Sequence, residues 1–588
     1  MCGIAGILRY DAPPEEERAL RLQRALRHRG PDGQGLVRAG AACLVHTRLA
    51  LLDLTGGGQP MTSPDGRYVL TYNGEVYNHR ELAAELAASW PLRTRSDAEV
   101  VLAVCATWGL AALARLNGMF ALCLWDRERN EALLARDRLG VKPLVYAHTP
   151  HGLLFASEAK AIVAALDQRP AAHAEAVLEY LVAPCFSGVE HSMFEAIEHL
   201  LPGHALRVSH AGTETVRWWR YAITPEPTDP VPALQDALAQ AVPRTLLADV
   251  PVGAYLSGGI DSTLICALAA REAPLYVYTV AFPEQERYDY ARSTIVLSDD
   301  GPAAAQAAQA LGLTQALVPV ARERLAEDIA ALARIDDALP AWEQELAQHH
   351  LARAASRRFK AVLVGDVADE THYGYHFLLD EAAVRAPEVI LRRLGSAPVR
   401  RDRLADPVAY FGARYRALMA SAVGEADDLD TRRRATTQLI VERWLARLLH
   451  NGDIHAMAFG LEARVPFADI DLLAQAARIG PDLGMKHGIE KWALREAARG
   501  LVPEAIRTRR KSALPKDQGT AALLQREALR VLDESSPFLG EYLDLAAVRT
   551  LARAPLTPAH PLTEAERAVL FRVIALARWA EHYHVRPS

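Results

Sequence analysis

The stretch Val252-Gly-Ala-Tyr-Leu-Ser-Gly-Gly-Ile-Asp-Ser262 decides the fold of the larger part of this chain. The apolar residues 252–256 predict a strand, and the glycine-rich turn after them leads into a helix predicted at 262–271. Bare glycine N–H groups and a helix N-terminus then face the same point, an arrangement that holds phosphate groups in many proteins. The turn lacks the Gly-Lys-Ser/Thr ending of a Walker A loop, so we expect a phosphate site of another kind.

Strands and helices alternate on both sides of this stretch. The sequence predicts further strands at 275–280, 316–318 and 361–364, and helices at 231–247, 302–311 and 343–357. Such alternation is typical of a parallel sheet covered by helices on both faces. From about residue 380 onward, the pattern is almost wholly helical. We therefore predict an α/β domain with a helical C-terminal part.

The N-terminal part of the chain has a different pattern of predicted secondary structure. Short apolar or alternating runs, bounded by turn residues, predict a strand-rich α+β region up to about residue 205. The segment 223–230 is rich in proline and is the best candidate for a domain boundary. We predict one domain at 2–205, a linker at 206–230 and a second domain at 231–588.

Composition excludes several classes of protein. The chain has 588 residues and a formal net charge of −6, which argues against nucleic-acid binding. It contains no run of 18 apolar residues and no N-terminal signal layout, so we expect no membrane association. The six cysteines are scattered without a Cys-x-x-Cys pair, which indicates neither a disulfide framework nor a zinc knuckle and suggests the cytoplasm.

Cys2, near the start of the chain, is a candidate nucleophile. If Met1 is removed, one residue carries both a thiol and an α-amine, and the amine can act as the base that a cysteine otherwise borrows from a histidine. Cys2 could also be a small buried strand residue. Its significance depends on polar clusters further along the chain, at 28–33, 46–49, 59–61, 72–78 and 96–97.

With these clusters, the N-terminal part resembles the N-terminal-nucleophile glutaminase domain of class II glutamine amidotransferases. The closest pattern is that of glutamine-dependent asparagine synthetases, and it continues at 116–121, 135–144 and 155–160. The resemblance implies an α+β fold of layered antiparallel sheets with helices. It also implies that Cys2 attacks the side-chain amide of glutamine.

The same resemblance assigns the residues around glutamine. The side-chain amide of Asn73 and the backbone N–H of Gly74 would stabilise the oxyanion. Arg48 would bind the substrate carboxylate, and Asp97, with Glu75 or its backbone, would bind the ammonium group. Taken singly, each has an ordinary explanation, such as a hairpin turn or a first-turn helix charge; taken as an ordered set with Cys2, they favour the glutaminase.

The glycine-rich loop matches that of ATP pyrophosphatases, which cleave ATP between its α- and β-phosphates. The resemblance implies ATP contacts from Leu256, Ser257, Gly258, Gly259, Asp261, Ser262, Val280, Val364 and Gly365. Leu256 and Val280 would contact the purine, although either could be a core residue. Asp261 and Asp369 would share Mg²⁺. Lys491 would neutralise charge on the α-phosphate, and Arg464 would be either structural or in contact with substrate.

One segment departs from the family pattern. Relatives usually have Ser-Gly-Glu-Gly-x-Asp-Glu, whereas this chain has Val364-Gly-Asp-Val-Ala-Asp-Glu370. Asp366 replaces a glutamate that lies near the reacting acyl group, and it is one methylene shorter. We therefore treat Asp366 as a catalytic candidate and regard the acceptor pocket as altered.

The resemblance implies a glutamine-hydrolysing asparagine synthetase that uses ATP and aspartate and forms AMP and pyrophosphate. One alternative is a relative that amidates another carboxylic acid in a specialised pathway. Intramolecular β-lactam or macrolactam closure is disfavoured by the intact Cys2, Asn73 and Arg48. A non-catalytic glutamine sensor is disfavoured by the two complete motif sets. The expected partners are small molecules, and the resemblance allows a homodimer.

Overall fold

A computed structural model describes residues 2–226, 228–285, 290, 296–423, 428–513, 517–557 and 561–587. Its strands are β1 (Cys2–Arg9), β2 (Gly33–Ala39), β3 (Ala42–Arg48), β4 (Met61–Thr62), β5 (Tyr68–Val76), β6 (Gly118–Asp126), β7 (Glu131–Arg136), β8 (Val145–Thr149), β9 (Gly152–Ala156), β10 (Glu198–His199), β11 (His204–Ser209), β12 (Gly212–Arg217), β13 (Val252–Tyr255), β14 (Tyr276–Ala281), β15 (Thr314–Pro319), β16 (Ala361–Leu363) and β17 (Glu462–Arg464).

The α-helices are α1 (Glu16–Ala25), α2 (His79–Leu86), α3 (Asp97–Trp108), α4 (Ala159–Ala165), α5 (Ala174–Val182), α6 (Val231–Thr245), α7 (Ile260–Ala269), α8 (Gly301–Ala310), α9 (Leu325–Ile335), α10 (Gln344–Ala355), α11 (Ala368–Thr371), α12 (Glu381–Arg385), α13 (Pro387–Leu394), α14 (Pro407–Val423), α15 (Leu429–Leu439), α16 (Ala446–Met457), α17 (Ile470–Ala477), α18 (Pro481–Gly484), α19 (Trp492–Ala497), α20 (Glu504–Arg507), α21 (Ala521–Glu534), α22 (Ser536–Leu539), α23 (Leu545–Ala552) and α24 (Glu564–His582).

The N-terminal part consists of two six-stranded sheets, in the orders β10-β8-β9-β1-β3-β2 and β12-β11-β7-β6-β5-β4. Their strands pair in antiparallel fashion. Alternate residues of β1 face different cores: Ile4 and Leu8 lie in the cluster that also contains Trp125 from the other sheet, whereas Ala5 and Ile7 pack with α1. The predicted α+β fold of layered antiparallel sheets is therefore confirmed.

The second part is built on a five-stranded parallel sheet in the order β15-β14-β13-β16-β17. Four of its strands lie where the sequence predicts them. The fifth, β17, is a three-residue strand in the region predicted to be almost wholly helical; the helical C-terminal part is confirmed, but this strand was not predicted. Two of its three residues, Glu462 and Arg464, are charged, so the strand carries no hydrophobic pattern although both are fully buried.

The predicted linker contains ordered structure at its start. Strands β11 and β12 form a hairpin that pairs with β7, so residues up to Arg217 belong to the second antiparallel sheet. Helix α6 begins at Val231, directly after the proline-rich segment. The C-terminal helix α24 returns to the N-terminal part, where Trp579 packs on Phe194 with ring centroids 5.0 Å apart.

Within the described ranges, one helical segment, 97–115, is long and apolar enough to cross a membrane by length and composition. However, 61% of its most apolar 18-residue stretch is buried inside the protein. Burial of that extent is typical of a core helix, and α3 packs on strand β5.

Candidate active sites

The first candidate site surrounds Cys2 at the start of β1. Strand pairing places Cys2 opposite Arg48 on β3. The Cys2 backbone N–H donates to Asn73 Oδ1 at 2.9 Å, and the Cys2 carbonyl accepts from Arg29 Nε at 3.0 Å. Three residues that are far apart in the sequence are thus fixed around one backbone unit. The structure places Cys2, Arg48 and Asn73 next to one another, and their roles in binding glutamine remain predictions.

Asn73 presents a free donor beside Cys2. Its side chain is fully buried, and Nδ2 has no hydrogen-bond partner among the described residues. Since the bond from Cys2 fixes Oδ1, the amide orientation is set and Nδ2 is the group left over. A buried N–H group without a hydrogen-bond partner destabilises the folded protein unless a bound ligand accepts its hydrogen bond. Nδ2 therefore has the chemistry of an oxyanion donor.

Burial raises the pKa of the Cys2 thiol above its usual value, and the positive charge of Arg48 acts in the opposite direction. The thiol is therefore protonated at neutral pH, and attack requires a base within the site. Nearby, the buried His46 is held neutral, because burial lowers the pKa of its imidazole to about 3.

The other predicted glutamine contacts have defined surroundings. The Arg48 guanidinium donates to the carbonyls of Asp53 at 2.6 Å and Leu54 at 3.0 Å, so the loop after β3 fixes its direction. Asp97, in the first turn of α3, accepts from the Tyr72 hydroxyl at 2.7 Å. A Cβ on Gly74 would come within 2.3 Å of a carbonyl oxygen on β6, so the strand contact itself demands glycine there.

Glu75 contacts the other half of the chain. Its Oε2 accepts from Arg464 Nη2 at 3.1 Å, while Arg464 also donates to Glu462 Oε1 at 2.6 Å. Burial, reinforced by the charge of Asp97, raises the pKa of Glu75 well above its usual value. Arg464 further donates to two backbone carbonyls after α6. Of the two alternatives for Arg464, this geometry favours the structural one.

Arg29 forms a second buried link between the halves. Its guanidinium donates to Glu158 at 2.6 Å and to Asp453 on α16 at 2.7 Å. Lys142 lies 3.4 Å from the other oxygen of Asp453. Because Arg29 also holds the Cys2 carbonyl, a continuous polar chain joins the nucleophile to α16. Arg29 was not predicted as a functional residue, although it lies in the polar cluster 28–33.

The second candidate site lies at the carboxyl end of β13, where the loop 256–259 turns into α7. Gly258 has φ +72°, and a Cβ there would lie 2.4 Å from a backbone nitrogen of α8, so only glycine fits. The hydroxyls of Ser257 and Ser262 lie 3.0 Å apart and close the turn. A Cβ on Gly365 would meet the Ser262 nitrogen at 3.2 Å, so Gly365 lets the loop after β16 approach this turn.

Four charged side chains meet beside this loop. Lys491 Nζ donates to Asp261 Oδ2 and lies 2.7 Å from Asp369 Oδ1, and Lys511 Nζ pairs with Asp369 Oδ2. Burial alone would raise the pKa of Asp369, but the two lysines outweigh it and hold the pKa well below the usual range. Lys511 was not predicted, since an isolated lysine in an irregular segment has no distinguishing sequence signal.

The donor set fits Mg²⁺. Asp261 Oδ1 is buried and has no hydrogen-bond partner within the described part of the chain. Carboxylate oxygens at the carboxyl ends of parallel strands are the ligands that Mg²⁺ prefers when phosphates complete its shell. Asp261 and Asp369 are therefore suitable ligands for that ion.

The predicted purine contacts are core residues in this structure. Leu256 and Val280 are buried and belong to the apolar core of the second part. Val364 is also buried, and its backbone N–H donates to the Arg464 carbonyl at 2.9 Å. Each of the three lies on or directly after a strand of the parallel sheet. Their nucleotide contacts remain predictions.

The altered segment after β16 carries backbone strain. Val367 has φ +82°, although β-branched residues rarely adopt positive φ, and relatives usually have glycine at this position. Its side chain is fully buried. Beside it, burial and the neighbouring charge of Asp369 raise the pKa of Asp366 to about 6. This strand end therefore combines a strained, buried valine with a carboxyl whose pKa is raised.

Comparisons with known proteins cover both halves of the chain. Residues 1–219 match a family model described as glutamine amidotransferase domain, and residues 233–581 match one described as asparagine synthase. The chain is 31% identical over 539 residues to the glutamine-hydrolysing asparagine synthetase 3 of Bacillus subtilis, covering 88% of this chain and 87% of the relative. It is 28% identical over 532 residues to asparagine synthetase B of Escherichia coli, covering 87% and 81% respectively.

Proposed function

This chain belongs to the asparagine synthase family, and from that membership we propose that it is a glutamine-dependent amide synthetase driven by ATP. The observation that carries the proposal is the contact between Cys2 N and Asn73 Oδ1, which leaves Nδ2 next to Cys2 as a buried donor without a partner among the described residues. A purely structural cysteine would not need such a donor. The relatives named above are glutamine-hydrolysing asparagine synthetases, so aspartate is the leading acceptor.

In the first half-reaction, the Cys2 sulfur attacks the side-chain amide carbon of glutamine. Asn73 Nδ2 and the Gly74 N–H donate to the oxyanion, and Arg48 and Asp97 bind the carboxylate and ammonium groups of the substrate. Collapse of the intermediate releases ammonia and leaves a thioester on Cys2. Water then cleaves the thioester and yields glutamate. The thiol proton goes to the α-amine of Cys2, once Met1 has been removed, and from there to the leaving nitrogen.

In the second half-reaction, the acceptor carboxylate attacks the α-phosphate of ATP and displaces pyrophosphate. The loop 256–259 and the N-terminus of α7 would cradle the phosphates. Lys491 and Lys511 would neutralise the negative charge that develops there. Mg²⁺, bound by Asp261 and Asp369, would screen the charge of the leaving pyrophosphate. Ammonia then attacks the acyl-AMP, and the products are the amide and AMP.

Ammonia must pass from one site to the other without meeting bulk water. The proposed route runs through the interface between the halves. That interface is closed by buried contacts: Arg464 binds Glu75, and Arg29 binds Asp453. These pairs would keep solvent out and hold the two sites in a fixed relation.

A second candidate acceptor has specific support. Val367 takes a strained conformation where relatives have glycine, and Asp366 is shorter than the usual glutamate. Both changes lie beside the expected position of the acyl group. An acid of different shape from aspartate would be the acceptor in that case, with the same two half-reactions.

The test is pyrophosphate release that depends on glutamine and ATP, measured across a panel of carboxylic acids that includes aspartate. Cys2→Ala should abolish the glutamine-dependent reaction and retain activity with added ammonium. Release with another acid and none with aspartate would replace the leading acceptor. If Cys2→Ala stays inactive with ammonium for every acid while its ATP loop is intact, the two-site scheme is wrong.

A further inference from the structure

A buried cluster of carboxylates and imidazoles shares no residue with either candidate site. Asp336 lies at the end of α9, Glu345 on α10, and His450 and His455 on α16. One oxygen of Asp336, one oxygen of Glu345 and one ring nitrogen of His455 all lie within 4.8 Å of one another. None of the four side chains is more than 6% exposed. The cluster therefore joins three helices in the interior.

Several polar atoms in this cluster lack partners. Among the described residues, Asp336 Oδ2 and both ring nitrogens of His450 and of His455 have no hydrogen bond. His455 Nε2 lies 3.5 Å from Asp336 Oδ2, and His450 Nε2 lies 3.6 Å from Asp336 Oδ1. Those separations are longer than an N–H···O bond of about 2.7–3.2 Å. Leaving buried polar atoms unpaired is costly, so the cluster requires something between them.

The remaining oxygens are held from outside the cluster. Asp336 Oδ1 accepts from the Ala338 N–H at 2.9 Å. Glu345 accepts from the Ala341 N–H and from Asn451 Nδ2, each at 2.9 Å. Hydrogen bonds of this kind orient the carboxylates of metal sites, and each carboxylate oxygen keeps a second lone pair that can face an ion.

We propose that Asp336, Glu345 and His455 bind one divalent transition-metal ion. Two ligands about 2.0–2.1 Å from a tetrahedral Zn²⁺ lie about 3.4 Å apart, close to the observed imidazole–carboxylate separations. Imidazole nitrogens combined with carboxylates favour Zn²⁺ over Mg²⁺ or Ca²⁺, which prefer oxygen ligands alone. The ion neutralises the buried carboxylates and crosslinks α9, α10 and α16.

The position of the ion gives it a structural role. Helix α16 also carries Asp453, which binds Arg29, and Arg29 holds the Cys2 carbonyl. A metal that fixes α16 therefore fixes one end of the chain of contacts that positions the nucleophile. The competing arrangement has no metal ion, and His455 contacts Asp336 directly.

Metal content and stability test the proposal on the full-length, tag-free protein. The background is Cys2→Ala, which removes the thiol as an adventitious zinc ligand. After chelation and reloading with Zn²⁺, elemental analysis should find about one ion per chain, and reloading should raise the melting temperature. Co²⁺ in place of Zn²⁺ should show the visible absorption bands of a tetrahedral site. Mg²⁺ alone should give no such increase in melting temperature.

The matched variants are His455→Gln and His350→Gln. Both replace a buried histidine, but His350 pairs with Asp328 at 2.8 Å and lies outside the cluster. His455→Gln should weaken Zn²⁺ binding by at least about 10-fold, and His350→Gln should leave it unchanged. Failure of the reloaded Cys2→Ala protein to hold stoichiometric metal would overturn the proposal. Equal retention by the two histidine variants would overturn it as well. Neither result bears on the amide synthetase activity, which is assayed separately.

Discussion

Replacing Asn73 by alanine tests the assignment of the first site most directly. The substitution removes Nδ2, which has no partner in the described part of the chain, together with Oδ1, which accepts from the Cys2 N–H at 2.9 Å. Loss of one oxyanion donor costs about 2.7–4 kcal/mol in the transition state, which corresponds to about 100- to 1,000-fold in kcat. The unpaired Cys2 N–H adds a stability cost of about 1–3 kcal/mol.

The assay is glutamate release from glutamine, with ammonium-dependent pyrophosphate release as an internal reference. Asn73→Ala should lower the rate of glutamate release by about 100- to 1,000-fold. It should change ammonium-dependent pyrophosphate release by no more than about twofold, because ammonium bypasses the glutaminase. Asn78→Ala is the control: this residue follows the same strand, but its side chain donates to the Arg115 carbonyl at 2.9 Å. A loss of less than about 10-fold in glutaminase activity, or an equal loss in both reactions, would refute the role of Nδ2.

Two further predictions concern the second site. Lys491→Met should abolish ATP-dependent pyrophosphate release and retain glutaminase activity, because it removes the cation between Asp261 and Asp369; parallel loss of both activities would indicate misfolding instead. Asp366→Asn should raise the melting temperature at pH 7.5 more than at pH 4 in the absence of nucleotide. The folded carboxyl has its pKa raised to about 6 from 3.8, so its favourable contribution is full below pH 3.8 and is lost as the pH rises through 6. The gain at pH 7.5 is at most about 3 kcal/mol, and an equal effect at both pH values would contradict the assignment.

The sequence by itself determined the elements that depend on local pattern. The alternating runs of the N-terminal part, the loop 256–259 and four strands of the parallel sheet all have periodicity or turn residues that identify them. Ordered motifs also pointed to Cys2 and Asn73. Strand β17 could not be predicted in this way, because a strand of charged residues that are buried as ion pairs has no hydrophobic pattern.

Only the tertiary structure decided which side chains meet. Arg464 pairs with Glu75, which lies 389 positions away in the chain. Arg29 pairs with Asp453, which lies 424 positions away. Likewise, the half-buried pairing of Lys511 with Asp369 and the cluster around His455 join elements that have no common local pattern. The physical reason is that buried charges are stabilised by partners that only folding brings close, whereas local sequence encodes periodicity and turn chemistry.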